Sequence, residues 1–248
     1  MARTPEGPPP PPAVQKLRIR YAKRGRLRFS STRDFQRALE RALRRAGVPM
    51  AFSAGFHPHP KISYANAAPT GTASEAEYVE ISVVERVDPQ RLRAALDAAL
   101  PEGLDVVQVV EATPGALADR LQASDWVLQF RDVPVAELER SAGLLLEQDR
   151  VEVTRMMKSG PRTFDVREAV VSLVASAGDD DSCAILRVVV RHTTPAVRPD
   201  DVLSALRAVA HLAPPTPPLV TRLAQGPLHP ATATVADPLA ADHDADGI

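Results

Sequence analysis

Between Lys16 and Ala46 the spacing of the apolar residues changes from every second position to every third or fourth, and this change restricts the possible fold. Leu17, Ile19 and Tyr21 alternate with basic residues, which is typical of a β-strand with one face in the core. From Phe35 onward, apolar residues recur at helical spacing up to Ala46. The segment therefore predicts a strand that is followed by an amphipathic helix.

The predicted helix, residues 32–46, has recognisable signals at both ends. Ser31 and Asp34 form the spacing of a capping box, in which each side chain satisfies a backbone N–H of the first turn. Gly47 and Pro49 favour an end to the helix directly after it. The polar side of this helix is rich in arginine.

The same kind of pattern extends along the whole chain and predicts two similar halves. The first half reads as strand 16–21 with the alternating run 26–29 as its extension, helix 32–46, a strand near 50–53, strand 77–84, helix 89–100 and strand 104–111. The second half reads as strand 126–130, helix 134–147, strand 150–156, a hairpin-like region 158–174, strand 183–191, a helix from 199 to 210 and strand 219–223. Both give the order β-α-β-β-α-β, so the sequence predicts an α+β chain of two tandem ferredoxin-like domains.

The predicted domain boundaries follow from this reading. A basic N-terminal domain covers 15–111, a connector 112–124, and a C-terminal domain 125–225. The Pro-rich arm 1–14 and the acidic tail 226–248 are expected to be unfolded.

Charge is distributed very unevenly along the chain. The net charge is −1, yet residues 1–61 contain 14 basic and 3 acidic residues. Such an excess attracts a polyanion, of which nucleic acid is the most common in cells. The alternative is that these charges only solvate an arginine-rich surface.

A loop of unusual composition, residues 53–64, follows the basic helix. Pro58 and Pro60 fix their own backbone and hold the preceding residues extended, so His57 and His59 are expected to project on one side. Phe56 and Tyr64 would offer rings on which a base can stack, although a purely structural loop is the alternative. The predicted RNA-contacting residues are Arg18, Arg20, Arg26, Arg28, Arg33, Arg37, Arg41, Arg44, His57, His59 and Lys61.

Few residues point to catalysis, a metal or a cofactor. Cys183 is the only cysteine, which excludes an intrachain disulfide and a cysteine-ligated zinc or iron–sulfur site within the chain. Two histidines of the loop can supply only two metal ligands, and no third has a matching spacing. His59 remains as a candidate general base for RNA cleavage, ahead of His57. We therefore predict no metal, no cofactor and no catalytic activity of the chain alone.

Several short motifs resemble those of the uncharacterised radical SAM-linked protein family. They are Arg28-Phe29-Ser30 before Asp34, Gly55-Phe56, Pro58-His59-Pro60-Lys61-Ile62-Ser63, Gly71, Ser74, Glu77-Tyr78, Lys158 and Phe164-Asp165-Val166-Arg167. The family has a small polar residue where this chain has His57, which argues against a catalytic role for that histidine. The resemblance implies a radical SAM protein as partner and a setting in RNA modification or ribosome-related metabolism.

Three functions follow as hypotheses. The first is an RNA-binding accessory protein that works with a separate radical SAM enzyme. The second is a metal-independent ribonuclease, because the tandem ferredoxin-like order is similar to that of CRISPR repeat-RNA endonucleases. The third is an adaptor whose basic surface meets an acidic protein. With one cysteine, no apolar run of membrane length and no secretory pattern at residues 1–15, we expect a cytoplasmic protein without a membrane partner.

Overall fold

The computed structural model describes residues 10–178 and 182–243, which form two units. Unit 1 takes its described residues from Met1–Asp119 and Pro238–Ile248, and unit 2 consists of those from Arg120–Asp237. Within the described residues there are 12 strands and 6 α-helices, distributed over both units. The predicted mixture of helices and strands is therefore confirmed.

Unit 1 contains one antiparallel sheet with helices between its strands. Its elements are β1 (Gln15–Lys23), α1 (Thr32–Arg45), β2 (Ile62–Ala65), β3 (Ala73–Val83), α2 (Pro89–Ala99), β4 (Leu104–Glu111) and a single helical turn, α3 (Leu117–Arg120), at its boundary. Strand β1 pairs with β3 on one side and with β4 on the other, and β2 pairs with β3. All of these pairs are antiparallel, so the order across the sheet is β4-β1-β3-β2.

Helix α1 forms where the sequence predicts it and packs its apolar side into the core of unit 1. The Oγ of Ser31 accepts a hydrogen bond from the N–H of Asp34, and the Asp34 carboxylate accepts one from the N–H of Ser31. The ring of Phe35 stacks on that of Tyr21 from β1, with centroids 4.0 Å apart. The other buried residues of α1 are Leu39, Ala42 and Leu43. This packing leaves the arginine-rich side of α1 facing outward.

Unit 2 repeats this arrangement with an added hairpin. Its elements are β5 (Ala123–Arg131), α4 (Val135–Leu146), β6 (Glu152–Met157), β7 (Gly160–Asp165), β8 (Val170–Ala177), β9 (Cys183–Arg191), α5 (Pro199–Ala210), β10 (Leu219–Gly226), β11 (Leu228–His229) and β12 (Thr234–Val235). Strand β5 lies between β9 and β10, and β8 pairs with β9, all antiparallel. The order is β10-β5-β9-β8. The last described helix, α6 (Ala240–His243), belongs to unit 1.

The two units therefore place equivalent elements in equivalent positions. In each, the first strand lies between the third and the fourth, and the second strand pairs with the third. In each, an insertion separates the first helix from the second strand: residues 46–61 in unit 1, and the β6–β7 hairpin in unit 2.

The prediction of a strand near residues 50–53 is wrong. Met50 and Phe52 make only single bridges, to Val83 and Pro60 respectively. The second strand of unit 1 is instead β2, which begins at Ile62. The difference is explained by Pro49, Pro58 and Pro60 around this segment. Proline has no backbone N–H and so cannot take part in a continuous ladder of hydrogen bonds.

The alternating run from Arg26 to Phe29 is not a strand either. Residues Gly25–Phe29 form a 3₁₀ helix, in which the N–H of Leu27 donates to the carbonyl of Arg24 at 3.0 Å. Gly25 has φ +53°, a conformation that turns the chain away from β1 and that glycine adopts without strain. Alternation over only four residues did not distinguish the two structures.

The expectation of an unfolded tail is also wrong for its described part. Residues 226–243 contain β11, β12 and α6, and Leu239 and Asp242 are completely buried. At the other end, residues 10–14 are exposed and have no regular structure. Residues 1–9 of the predicted arm and 244–248 of the predicted tail lie outside the described residues.

Candidate nucleic-acid interface

Four arginines form an exposed row on the outer side of α1. This arginine face consists of Arg33, Arg37, Arg41 and Arg44, which recur at intervals of three or four residues and so lie along one side of the helix. Among the residues that the structure describes, none of the four makes an ion pair. The row is thus a concentration of unneutralised positive charge.

The one acidic residue beside the start of this row is already engaged. Hydrogen bonds from the side chain and backbone of Ser31 hold the pKa of Asp34 below its usual value, and the charges of Arg37 and Arg33 act in the same direction. Asp34 therefore stabilises the first turn of α1 rather than pairing closely with one arginine.

The expectation that Arg18 faces solvent is wrong. Its side chain is completely buried, where Nε donates to Glu80 at 2.8 Å and Nη1 donates to both carboxylate oxygens of Asp242 at 2.7 and 2.9 Å. Burial alone would raise the pKa of Asp242, but hydrogen bonds from Arg18 and Thr113 outweigh it and lower that pKa. Helix α6 thus covers this position, and Arg18 cannot contact a nucleic acid directly.

The other basic residues near β1 are only partly available. Arg20 is half-buried and its Nε donates to the carbonyl of Glu75 at 2.9 Å. Arg28 is half-buried, with its guanidinium 4.9 Å from the centre of the Phe29 ring. Arg26 is exposed. On β1 itself Lys16 stays exposed, 4.0 Å from the carboxylate of Glu80, and in the turn that follows β1 Arg26 is exposed.

The Pro-containing loop is held in a defined shape. The N–H of Ser53 donates to the carbonyl of His59 at 2.8 Å, and the N–H of His59 donates to the Oγ of Ser53 at 3.0 Å. At the base of the loop, the N–H of Lys61 donates to the carbonyl of Ala51 at 2.8 Å. The side chains of His57, His59 and Lys61 are exposed. The loop therefore displays three donors from a fixed backbone.

The two aromatic residues of this region differ in what they can bind. Phe56 is 62% exposed, so one face of its ring is open to a planar ligand. Tyr64 is half-buried, and its ring meets that of Phe35 edge to face at 6.1 Å. Burial, together with the charge of Glu40, raises the pKa of Tyr64 to about 12. Of the two, Phe56 alone is placed to stack on a base.

Two buried charges support the turn before β3. The Nζ of Lys23 donates to the carbonyl of Ala68 at 3.3 Å and to that of Pro69 at 3.4 Å, while the Glu77 carboxylate accepts from the N–H of Ala68 at 3.1 Å. They line a pocket of about 20 Å³, which has room for about one water molecule. Outside this pocket, Glu75 forms an ion pair with Arg24.

The structure also brings together a serine and a histidine that no sequence motif links. The Nδ1 of His192 lies 2.7 Å from the carbonyl of Leu121, which can only accept, so Nδ1 carries the proton and Nε2 accepts from the Oγ of Ser124 at 2.7 Å. Burial lowers the pKa of His192. Ser124 is only 1% exposed, so a substrate cannot reach its oxygen. The pair is structural.

Residues 10–178 and 182–243 contain neither a metal-binding cluster nor a membrane-spanning helix. No group of three His, Cys, Asp or Glu side chains in this part of the chain is arranged to hold a metal ion. None of its helices combines the length and the apolar character that crossing a bilayer requires.

Comparison with solved structures gives only weak likenesses. One is to DyPB from Rhodococcus jostii RHA1, with 14% identity, 79% of this chain and 84% of that chain covered, and a TM-score of 0.20. A variant of DyPB from the same organism in complex with heme shares 11% identity at the same coverage and TM-score. Scores this low support no conclusion about fold or function.

Comparison with protein families is more informative. No curated protein matches the chain. Residues 16–199, however, match the family described as "Uncharacterized protein conserved in bacteria (DUF2344)". The match includes α1, the Pro-containing loop and most of unit 2. Because it covers well over half of the 248 residues, this chain belongs to the DUF2344 family.

Proposed function

We propose that this protein binds RNA through the arginine face of unit 1, assisted by Arg26 and the loop 53–61. The observation that carries the proposal is the row of four exposed guanidinium groups on α1 without an ion-pair partner among the described residues. Such a row repels itself in the free protein, and a polyanion relieves that repulsion while releasing its own counterions.

Aromatic side chains beside the basic surface favour a nucleic acid over other polyanions. Phe29 and Phe56 are 60% and 62% exposed, and both lie in segments that carry basic residues. An exposed ring next to a cation binds a base by stacking while the cation meets the phosphate. An acidic protein would use the charges and leave these rings unused.

The proposal also includes a ferredoxin-like fold for each unit and a radical SAM enzyme as the partner. The strand order of each unit agrees with the ferredoxin-like class, which hosts many unrelated functions and so does not by itself establish one. The resemblance to the radical SAM-linked family supports an accessory role, in which this chain holds the RNA and a separate radical SAM enzyme modifies it. The chain, with its single cysteine, contributes recognition rather than an iron–sulfur cluster.

A binding titration tests the proposal. Fluorescence anisotropy with a labelled single-stranded RNA 12-mer should show binding that weakens with salt, and an excess of polyglutamate should compete only weakly. Equal competition by polyglutamate would favour the adaptor hypothesis. Absence of binding at low salt would contradict an RNA-binding function.

The same RNA distinguishes binding from cleavage. Incubated with the protein in EDTA, the 12-mer should stay intact, because no acid–base pair accompanies His59 among the described residues. Cleavage that His59→Ala slows by about 10²–10⁴-fold would replace the accessory role by a ribonuclease.

A further inference from the structure

We propose that a groove beside the arginine face binds one nucleobase, and that it prefers guanine. The base groove lies between the second half of α1 and the segment that follows it, and its lining residues are Glu40, Leu43, Arg44, Val48, Met50, Phe52 and Pro60. The proposal rests on RNA binding by unit 1 and adds to it a pocket, a ligand class and a residue that selects among bases.

The size and walls of the base groove suit a single planar ring system. Its volume of about 160 Å³ is below the roughly 300 Å³ at which pockets for drug-sized ligands begin. Phe52 is 43% exposed, so its ring offers an open face in a lining that is apolar apart from Glu40 and Arg44. The bridge between Phe52 and Pro60 fixes this wall relative to the loop. A base can therefore stack on Phe52 without a rearrangement of the backbone.

One acidic group in the base groove is not explained by the packing of the protein. Glu40 is half-buried, and within residues 10–178 and 182–243 its carboxylate has neither an ion pair nor a hydrogen bond. Its charge contributes to the raised pKa of Tyr64, which places the carboxylate near that ring. A partly desolvated carboxylate is stabilised by N–H donors, so the occupant should bring them.

Guanine meets this requirement better than the other bases. Its Watson–Crick edge presents N1–H and N2–H side by side, and a carboxylate accepts both. Adenine, cytosine and uracil each place an acceptor next to their donor, which would face the charge of Glu40. A phosphate would be repelled by Glu40 but attracted by Arg44, which also lines the groove. The charges of the groove therefore favour a base beside Glu40 and a phosphate of the RNA backbone beside Arg44.

Three RNA 12-mers test the inference on the wild-type protein: oligouridine, the same strand with one central guanosine, and the same strand with inosine there. Guanosine should bind about 10-fold more tightly than oligouridine, within the range of about 5–150-fold expected for a bidentate contact. Inosine lacks the N2 amino group and should lose most of this preference. Equal binding of all three with a normal salt dependence would overturn the base groove and leave the proposed function standing. Failure of all three to bind would overturn both.

The Glu40→Gln variant separates base recognition from simple charge. Removing a negative charge should tighten the binding of oligouridine slightly, whereas the preference for guanosine should disappear. A variant that gains affinity for every strand and keeps the preference would contradict a role for Glu40.

A second variant tests the stacking wall and does not depend on how Glu40→Gln folds. Phe52→Ala should weaken guanosine binding by roughly 5–150-fold, as expected for the loss of one base–aromatic stack. Met156→Ala, which truncates a 74% exposed residue of unit 2, is the matched control and should bind like the wild type. Equal loss in both variants, or none in Phe52→Ala, would contradict the assignment.

Discussion

The two units share a strand order but differ sharply on the outer side of their first helix. Helix α1 carries five arginines and two acidic residues, whereas α4, in the equivalent position, carries one arginine and two glutamates. Both helices bury an apolar side against a sheet of the same order. The comparison shows that the fold decides which side of the helix is exposed, while the residues on that side decide what it can bind.

The insertion after the first helix differs as well. Unit 1 has the Pro-containing loop, which displays His57, His59 and Lys61. Unit 2 has the β6–β7 hairpin, in which Arg155 is occupied by an ion pair with the buried Asp201. The hairpin also exposes Lys158 and Arg162, so exposed basic groups occur in both insertions. We therefore place binding on unit 1 because of the arginine face of α1, which α4 lacks.

The largest effect on stability is expected from the removal of a buried charged group in unit 1. Asp242→Ala removes one of the two carboxylates that pair with the buried Arg18 of unit 1 and should lower the free energy of unfolding by up to about 3–5 kcal/mol. Urea denaturation followed by circular dichroism measures this. Arg86→Ala breaks the exposed pair with Glu111 and, as the control, should cost less than about 1 kcal/mol.

The single tryptophan allows the two units to be compared in that experiment. Trp126 is buried in β5 of unit 2, so its fluorescence reports on unit 2. The transition seen by fluorescence should shift less than the one seen by circular dichroism in Asp242→Ala. An effect of Asp242→Ala no larger than that of Arg86→Ala would show that the contact with α6 is marginal.

As the pH falls, we expect unit 2 to lose stability before unit 1 does. The pKa of His192 is lowered in the folded protein, chiefly by burial, so the unfolded chain takes up its proton first as the pH falls. The contribution of neutral His192 to the stability of the folded protein is therefore fully present at pH values above the ordinary histidine pKa of about 6.5, and it declines below that pH. The urea midpoint from Trp126 fluorescence should therefore fall between about pH 7.5 and pH 5.5. If His192→Gln keeps the full decline, another group is responsible.

Local signals in the sequence were sufficient to predict several elements. The predicted helix 32–46 is observed at Thr32–Arg45, and strands 104–111 and 183–191 have the bounds that were predicted. In these cases a cap, a proline or a long β-branched run marks the boundary, and each acts within a few residues of the chain. The exposed side of α1 followed from the same periodicity.

Other features depend on contacts that no local pattern contains. The burial of Arg18 requires Asp242, which is 224 residues away and lay in a segment that composition suggested was unfolded. The base groove forms only when residues 48–60 pack beside α1, so Glu40 could not be distinguished from an ordinary surface glutamate. The Ser124–His192 contact likewise spans 68 residues.

The rigidity of the Pro-containing loop in unit 1 can be tested by a substitution with a smaller expected effect on RNA binding. Pro58→Gly keeps every donor but adds freedom to the unbound loop, which should weaken RNA binding by about 2–5-fold, equivalent to the 0.4–1 kcal/mol typical of such entropy changes. Anisotropy with the RNA 12-mer measures it, and circular dichroism checks folding. Ser159→Gly, at the turn of the hairpin in unit 2, is the control and should bind normally. Unchanged binding by Pro58→Gly would show that the loop is only structural.

We expect RNA to contact unit 1 and not unit 2, and paired charge reversals in the two units distinguish these possibilities. With Arg26 and the four arginines of the arginine face meeting phosphates, log K against log salt should have a slope of about −3.5 for a single strand. Arg37→Glu with Arg41→Glu should flatten it to about −2, because two contacts are lost. Arg131→Glu with Arg207→Glu, the same charge change at exposed positions of unit 2, should leave it near −3.5. Equal flattening of the slope by both pairs, or by neither, would contradict RNA binding through the arginine face of unit 1.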